Sequence, residues 1–274
     1  MKLGNLAARV ATAIVAAPII IFLVFWKYDW GVWILITAAS AAAMWEFFEM
    51  TLADKVERAF HLLLGLGLVS WLYWQPQISL AVAMPAVVIL PGLFFLFRFG
   101  DMATVGRRWA SGSLGIFYAG ICFMYLALLK RDGGAHGGDW IMLVLMTAWF
   151  GDTGGYFAGR AFGKSKLYPA VSPGKTRAGA LGGLAASFLA SVLANLWYFP
   201  ELGWRNGAII TIVGGALGQS GDLVESLLKR STGVKDSGNL LPGHGGMLDR
   251  VDAVLFIAPW VYAYAVFVWP RWPG

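Results

Sequence analysis

Apolar residues in this chain gather in long windows, and the windows have the length that a membrane crossing needs. A bilayer core takes about 20 mostly apolar residues per helix, with a range of roughly 17 to 25. Windows of that kind fall at 10–26, 31–50, 60–74, 79–97, 111–129, 139–159, 178–198, 206–228 and 251–269, which predicts about nine transmembrane helices. The window at 60–74 is short and holds Gly65 and Gly67, so it is the weakest of the nine. No stretch alternates polar and apolar residues as a membrane strand does, so the pattern predicts an all-α polytopic bundle. The first window follows Lys2 and Arg9 and runs on through Pro18 to Trp26. That is longer than the apolar core of a secretory signal, and a retained helix is expected.

Composition narrows the picture. The 274 residues are 58% apolar and 13% charged, with a mean hydropathy of +0.66. A soluble domain carries about 25% charged residues, so that class is excluded. Disorder is excluded as well, because 15% of the residues are aromatic. Cys122 stands alone and can make neither an internal disulfide nor a cysteine metal site.

Basic loops stay on the cytoplasmic side of a membrane. With the N-terminus inside, 16 of the 21 Lys and Arg fall on the cytoplasmic side, leaving Lys27, Lys130, Arg131, Arg205 and Arg271 opposite. Trp26, Trp30, Trp71, Trp74, Trp140, Trp197, Trp204, Trp269 and Trp272 cluster at the expected outer ends, as an aromatic belt would. The formal net charge of +6 is thus a topology signal, and no nucleic-acid partner is needed to explain it. No internal repeat is visible. The expectation is one membrane-embedded domain over 1–274, with 1–130 mainly scaffold and 139–260 carrying catalytic helices and two cytoplasmic loops, 160–177 and 229–250.

Charged residues inside such windows cost about 2.5 to 3.5 kcal/mol each, so each marks a functional candidate. Asp152 ends the apolar run of the sixth window, beside a stripe of Gly151, Gly155, Gly159 and Gly163 that suits close helix approach. Its plain structural alternative is snorkelling or a pair with Arg160. In the eighth window Asp222, Glu225, Ser226 and Lys229 stand at i, i+3, i+4 and i+7, a spacing that aims all four one way. A Glu225–Lys229 pair at the helix end accounts for those two and leaves Asp222 unexplained. Asp249 and Asp252 share a face at the start of the ninth window, where helix capping is the alternative for either one. Carboxylates that converge repel unless a cation sits between them, and oxygen ligands without cysteine suit a hard ion, Mg²⁺ first. His244, between glycines beside these acids, is a candidate phosphate ligand or proton donor. Glu46 and Glu49 lie near the inner end of the second window, and Glu46 either snorkels or faces the bundle.

Basic residues accompany the acids. Arg160, Lys164 and Lys166 precede the run Ser172-Pro-Gly-Lys175-Thr176-Arg177, and Lys229, Arg230, Lys235 and Arg250 flank the acids of the last two windows. Metal-binding carboxylates with Lys, Arg and glycine-rich backbone describe a phosphoryl or nucleotidyl transfer site. Neither Gly-Lys-Ser165 nor Gly-Lys-Thr176 is a P-loop, because the leading glycine is Ala158 in one case and Pro169 in the other.

The run from Ser226 to Asp252, SLLKRSTGVKDSGNLLPGHGGMLDRVD, resembles position by position the signature of the phosphatidate cytidylyltransferases, the CDP-diglyceride synthases. The segment DTGGYFAGR from Asp152 to Arg160, with SPGKT at 172–176, is similar to the same family, so the likeness spans roughly residues 145 to 260. Gly155 departs from it, standing where Ala is expected, which should only loosen packing. The resemblance implies a Mg²⁺-dependent attack of phosphatidate on the α-phosphate of CTP, giving CDP-diacylglycerol and pyrophosphate. It places the enzyme in a bacterial inner membrane with its site facing the cytoplasm, and a homodimer is compatible with it. The assignment it carries makes Asp222 and Asp249 the main metal ligands, Asp252 a third ligand or supporting group, and Asp152 a further acid. Ser172, Lys175 and Thr176 are assigned to substrate phosphates. Ser226, Lys229, Arg230 and Lys235 are assigned to the triphosphate and leaving pyrophosphate, with Arg250 joining them or orienting Asp249. Two rivals stay open: a CTP-dependent polyprenol or phytol kinase, which would move the γ-phosphate, and a cation transporter.

Overall fold

The computed structural model describes residues 14, 17–75, 79–240 and 245–270. Helices occupy the predicted windows over their described residues; residues 10–13, 15 and 16 of the first window, and Trp272 of the aromatic belt, lie outside the described residues. Residues 17–25 form α1, followed by α2 (Trp30–Thr51), α3 (Lys55–Trp74), α4 (Ser79–Phe97), α5 (Val105–Gly115) and α6 (Cys122–Asp132). A wide π-type turn, Ile116–Ile121, joins α5 to α6 without breaking the rod. Then come α7 (Gly137–Phe162), α8 (Arg177–Leu193), α9 (Trp204–Ser231) and α10 (Leu248–Phe267). Among the described residues, six helical stretches are long and apolar enough to cross a bilayer: Trp30–Thr51, Leu80–Phe97, Val105–Asp132, Arg177–Tyr198, Trp204–Ser231 and Leu248–Phe267. The chain is an all-α membrane protein. The windows at 60–74 and 139–159 also lie on helices, α3 and α7, which carry Glu57 and Arg58, and Asp139, Asp152 and Arg160 respectively.

The chain divides into two compact units. The first contains Trp30–Ala127 and Asp236–Arg250, so the linker ahead of α10 belongs with the N-terminal helices. Its core is built by Met44, Phe47 and Phe48 of α2 against Val69, Ile116 and Ala119, all buried. Gly65 and Gly120 let α3 and the π-type turn close onto the Met44 side chain, where a methyl group would collide at Gly65. Asp54 caps α3, its carboxylate accepting from the N–H groups of Val56 at 2.8 Å and Glu57 at 3.0 Å. Glu57 is buried and paired with Arg108. On α4, Val88, Ile89, Leu93, Leu96 and Phe97 are exposed, the surface expected of a lipid-facing helix.

The second unit contains Pro18–Asp29, Leu128–Lys235 and the C-terminal part of the chain from Val251. Glycines govern its packing. A Cβ added at Gly179 would lie 2.9 Å from the Gly155 carbonyl, and one at Gly183 would lie 2.9 Å from that of Gly151, so α7 and α8 meet backbone to backbone. At Gly155 an added Cβ would sit 3.3 Å from the Gly179 oxygen, a tight contact, so the glycine there suits the close seam. Ser187 of α8 donates to the Thr147 carbonyl of α7 at 3.0 Å, satisfying a buried hydroxyl at the same seam. Gly214 and Gly218 of α9 face Ile257 of α10. Of the predicted belt, Trp30, Trp71, Trp74, Trp197 and Trp204 are exposed, whereas Trp140 and Trp269 are buried in an aromatic cluster with Phe199 and His136. A β-hairpin also has no counterpart in the hydropathy pattern. Lys166–Tyr168 (β1) pairs antiparallel with Ser172–Thr176 (β2), folding the basic loop into a hairpin that feeds directly into α8.

Candidate functional site

In the second unit α7, the β1–β2 hairpin, α8 and α9 line an open cavity of about 470 Å³. Asp152 enters it from α7, Lys175 and Thr176 from β2, and Asp222 from α9, with Gly151, Gly155, Gly159 and Gly179 supplying bare backbone between them. The glycine stripe thus lets the helices meet backbone to backbone and puts that bare backbone on the cavity wall beside the acids.

Asp222, Glu225 and Asp252 form the acidic centre, each offering a carboxylate oxygen within 4.8 Å of the others. Helix geometry explains the first two, one turn apart on α9, while Asp252 arrives from α10 through the close approach at Gly221, where a Cβ would lie 2.6 Å from the Asp252 carbonyl oxygen. Asp252 also feels the charges of Asp152 and Lys175. Two ammonium groups sit against these acids: Lys175 Nζ lies 2.6 Å from Asp222 Oδ2, and Lys229 Nζ lies 2.5 Å from Glu225 Oε2. The Glu225–Lys229 pair is the i,i+4 contact anticipated for that helix end, and both partners are buried. Three clustered carboxylates, with Asp152 on the same cavity wall, thus face the ammonium groups of Lys175 and Lys229 and the guanidinium of Arg160. Such a cluster of hard oxygen donors fits a divalent cation.

The remaining predicted residues take varied places. Thr176 is buried, and its hydroxyl accepts from the Gly179 N–H at 3.1 Å, so it caps α8 as well as lining the cavity. Ser172 is half-buried on β2, and Ser226 is buried on α9 next to Glu225. Arg230, Lys235 and Arg250 are exposed, with Arg230 donating to the Val234 carbonyl at 3.1 Å. Asp249 belongs to the first unit, where its Oδ2 accepts from the N–H groups of Gly246 at 3.0 Å and Ser237 at 3.1 Å. His244 lies outside the described residues.

The sequence reading gives no site role to Glu225, Tyr156 or Gln219, and names Arg160 only among the basic residues that accompany the acids. Glu225 was visible as the i+3 neighbour of Asp222, yet its Lys229 pair offered a sufficient explanation. Arg160 donates to the Tyr156 hydroxyl at 3.1 Å on the cavity wall. Gln219 donates to the Ala180 carbonyl at 3.0 Å and tethers α9 to α8. A polar residue three before Asp222 in an apolar helix was the available signal.

Comparison with known proteins adds an independent line. Residues 7–268 match a family model described as the cytidylyltransferase family. A phosphatidate cytidylyltransferase of Bacillus subtilis (strain 168) is 33% identical over 273 residues, covering 94% of this chain and 97% of the relative. Another, from Brucella suis biovar 1 (strain 1330), is 33% identical over 288 aligned positions, covering 99% and 98%. A third, from Staphylococcus saprophyticus, is 44% identical over 146 residues, 53% of this chain and 55% of the relative.

Proposed function

The chain belongs to the cytidylyltransferase family, and from that premise we propose how its residues carry the reaction. It is a nucleotidyltransferase that transfers the CMP moiety of CTP to phosphatidate, forming CDP-diacylglycerol. The observation that carries the proposal is the acidic centre of Asp222, Glu225 and Asp252 beside the Lys175–Asp222 ion pair, at the wall of a glycine-lined cavity.

In this reading an oxygen of the phosphatidate phosphate attacks the α-phosphorus of CTP. The bond from the α-phosphorus to the bridging oxygen breaks, and its electron pair leaves with pyrophosphate. The attacking phosphate is already an anion, so no side chain has to remove a proton. The difficulty is repulsion between two polyanions, which cationic groups offset. Asp222, Glu225 and Asp252 would hold a divalent cation, Mg²⁺ by the hardness of their oxygens, with Asp249 retained as the motif's acid one helical turn before Asp252. Such an ion supplies charge neutralisation to the phosphates and orients them. Lys175 and Arg160 would take the substrate phosphates at the cavity wall, with Ser172 and Thr176 presenting the β2 backbone beside them. Lys229, with Ser226, and the exposed Arg230 and Lys235 would stabilise the triphosphate and its leaving pyrophosphate. Arg250 and His244 complete the assignment as phosphate ligands. We place the N-terminus and this site on the cytoplasmic side of a bacterial inner membrane crossed about nine times, where soluble CTP meets the lipid headgroup.

The test is direct. The detergent-purified protein is supplied with phosphatidate and CTP labelled at the α-phosphate, and label is expected in the lipid only when Mg²⁺ is present. Label that remains with the nucleotide would overturn the proposal, and phosphorylation of an added lipid alcohol from γ-labelled CTP would assign a kinase instead.

A further inference from the structure

We propose that Glu46 is a positioning residue for this reaction: its buried carboxylate clamps the linker that precedes Asp249 and caps the helix on which Asp249 stands. This rests on the reading of Asp249 as an acid of the transfer site. Glu46 projects from α2 and is 4% exposed. Its Oε1 accepts from the Met247 N–H at 2.9 Å, and its Oε2 accepts from the Leu248 N–H at 2.9 Å and from the Ser237 hydroxyl at 2.9 Å. All three donors come from residues about 190 to 200 positions away, and all lie within the same compact unit as Glu46.

The first amides of a helix have no partner inside it, and a carboxylate there is favoured by both hydrogen bonding and the helix dipole. At α10 that carboxylate is supplied by another helix. Ser237 then ties the device to Asp249, because its hydroxyl goes to Glu46 while its N–H goes to Asp249 Oδ2. Gly246 donates to the same Asp249 oxygen. The two acids thus organise one short stretch of chain from both sides. The glycines of the motif are explained by the same arrangement. A Cβ at Gly238 would lie 2.6 Å from Glu46 Oε1, and one at Gly246 would overlap Ser237 Oγ and Glu46 Oε2. Gly245 has a φ of +79°, which the turn before α10 requires, and a Cβ there would crowd Asp249 Oδ2 at 3.0 Å.

Glutamine cannot replace this acid. With three donors divided over two oxygens, either orientation of the amide sets its NH₂ against a backbone N–H, of Met247 in one case and of Leu248 in the other. The experiment compares the unaltered full chain with Glu46→Gln and Ser237→Ala in detergent, reading thermal midpoint, kcat, the KM for CTP and the Mg²⁺ concentration for half-maximal rate. Glu46→Gln is expected to lower kcat or raise the Mg²⁺ requirement by about 10- to 100-fold, the range seen when a group that orients an acid of such a site is lost. Ser237→Ala, which removes one of the three donors, is expected to shift the same quantities in the same direction by about tenfold or less. A folded Glu46→Gln with kcat and Mg²⁺ requirement unchanged would overturn the proposal. So would a Glu46→Gln that does not fold alongside a Ser237→Ala with unaltered kinetics, since Glu46 would then serve stability alone. Absence of label transfer by the unaltered protein would instead sink the reaction on which the clamp depends, so the two failures read differently.

Discussion

Asp222 stands where three demands meet, since it lines the cavity, pairs with Lys175 and shares the acidic centre with Glu225 and Asp252. Asp222→Asn keeps the size of the side chain and removes its charge, so turnover is expected to fall about 100-fold or more while the protein still inserts and folds. A radiolabel assay beside a thermal melt checks both halves. Asp249→Asn is expected to abolish turnover equally, and substantial residual activity would remove Asp249 from the transfer site. At this scale much was legible from the sequence, because an acid in an apolar window is costly enough to stand out. Asp152, Asp222 and Asp252 declared themselves in that way. Glu46 did not, although its position was noted, because its significance lies in partners some 200 residues away that no local spacing reveals.

Among the elements, glycine seams fix how closely helices approach. A Cβ at Gly182 of α8 would collide with the Ala158 side chain, whereas Gly174 on β2 has open space around it. Gly182→Val is therefore expected to destabilise the fold by about 1–3 kcal/mol through overpacking, read as a lowered thermal midpoint, with Gly174→Ala close to neutral. The cap on α3 gives a pH-dependent prediction. Hydrogen bonds from Glu57 and Val56 hold the Asp54 carboxyl below its ordinary value of 3.8. Because the folded value is the lower one, the contribution is present at neutral pH and is lost as pH falls through it. Asp54→Ala is expected to cost about 1 kcal/mol at pH 7. The gap from the unaltered protein should close at pH values below about 4, checked by denaturation at several pH values. Hydropathy located these helices because burial in lipid demands long apolar runs. It gave no sign of the π-type turns at Ile116–Ile121 and Ala194–Tyr198, which cost only one extra residue per turn, nor of the hairpin, whose strands of 3 and 5 residues are too short for any periodicity.

For the molecule as a whole, the charge asymmetry yields an orientation that reporter fusions can test. An alkaline phosphatase domain placed at Gly133 or Gly203 is expected to be active, and one placed at Pro169 or Gly233 inactive, if the basic hairpin and the α9–α10 linker face the cytoplasm. Activity at Pro169 would contradict that placement. The division of the chain into two units was not legible, because it does not follow the linear order: residues 236–250 join the N-terminal helices through buried hydrogen bonds to Glu46. Hydropathy reports which segments leave water and is silent about which of them meet.

The central claim is that carboxylates from α9 and α10 hold a divalent cation for the transfer of CMP. Titrating the purified protein with Mn²⁺, a spectroscopically visible substitute for Mg²⁺, and following free Mn²⁺ by electron paramagnetic resonance tests it most directly. The account predicts saturable binding that Mg²⁺ competes away and that Asp222→Asn weakens at least tenfold. Binding of equal strength in the folded Asp222→Asn variant would contradict it.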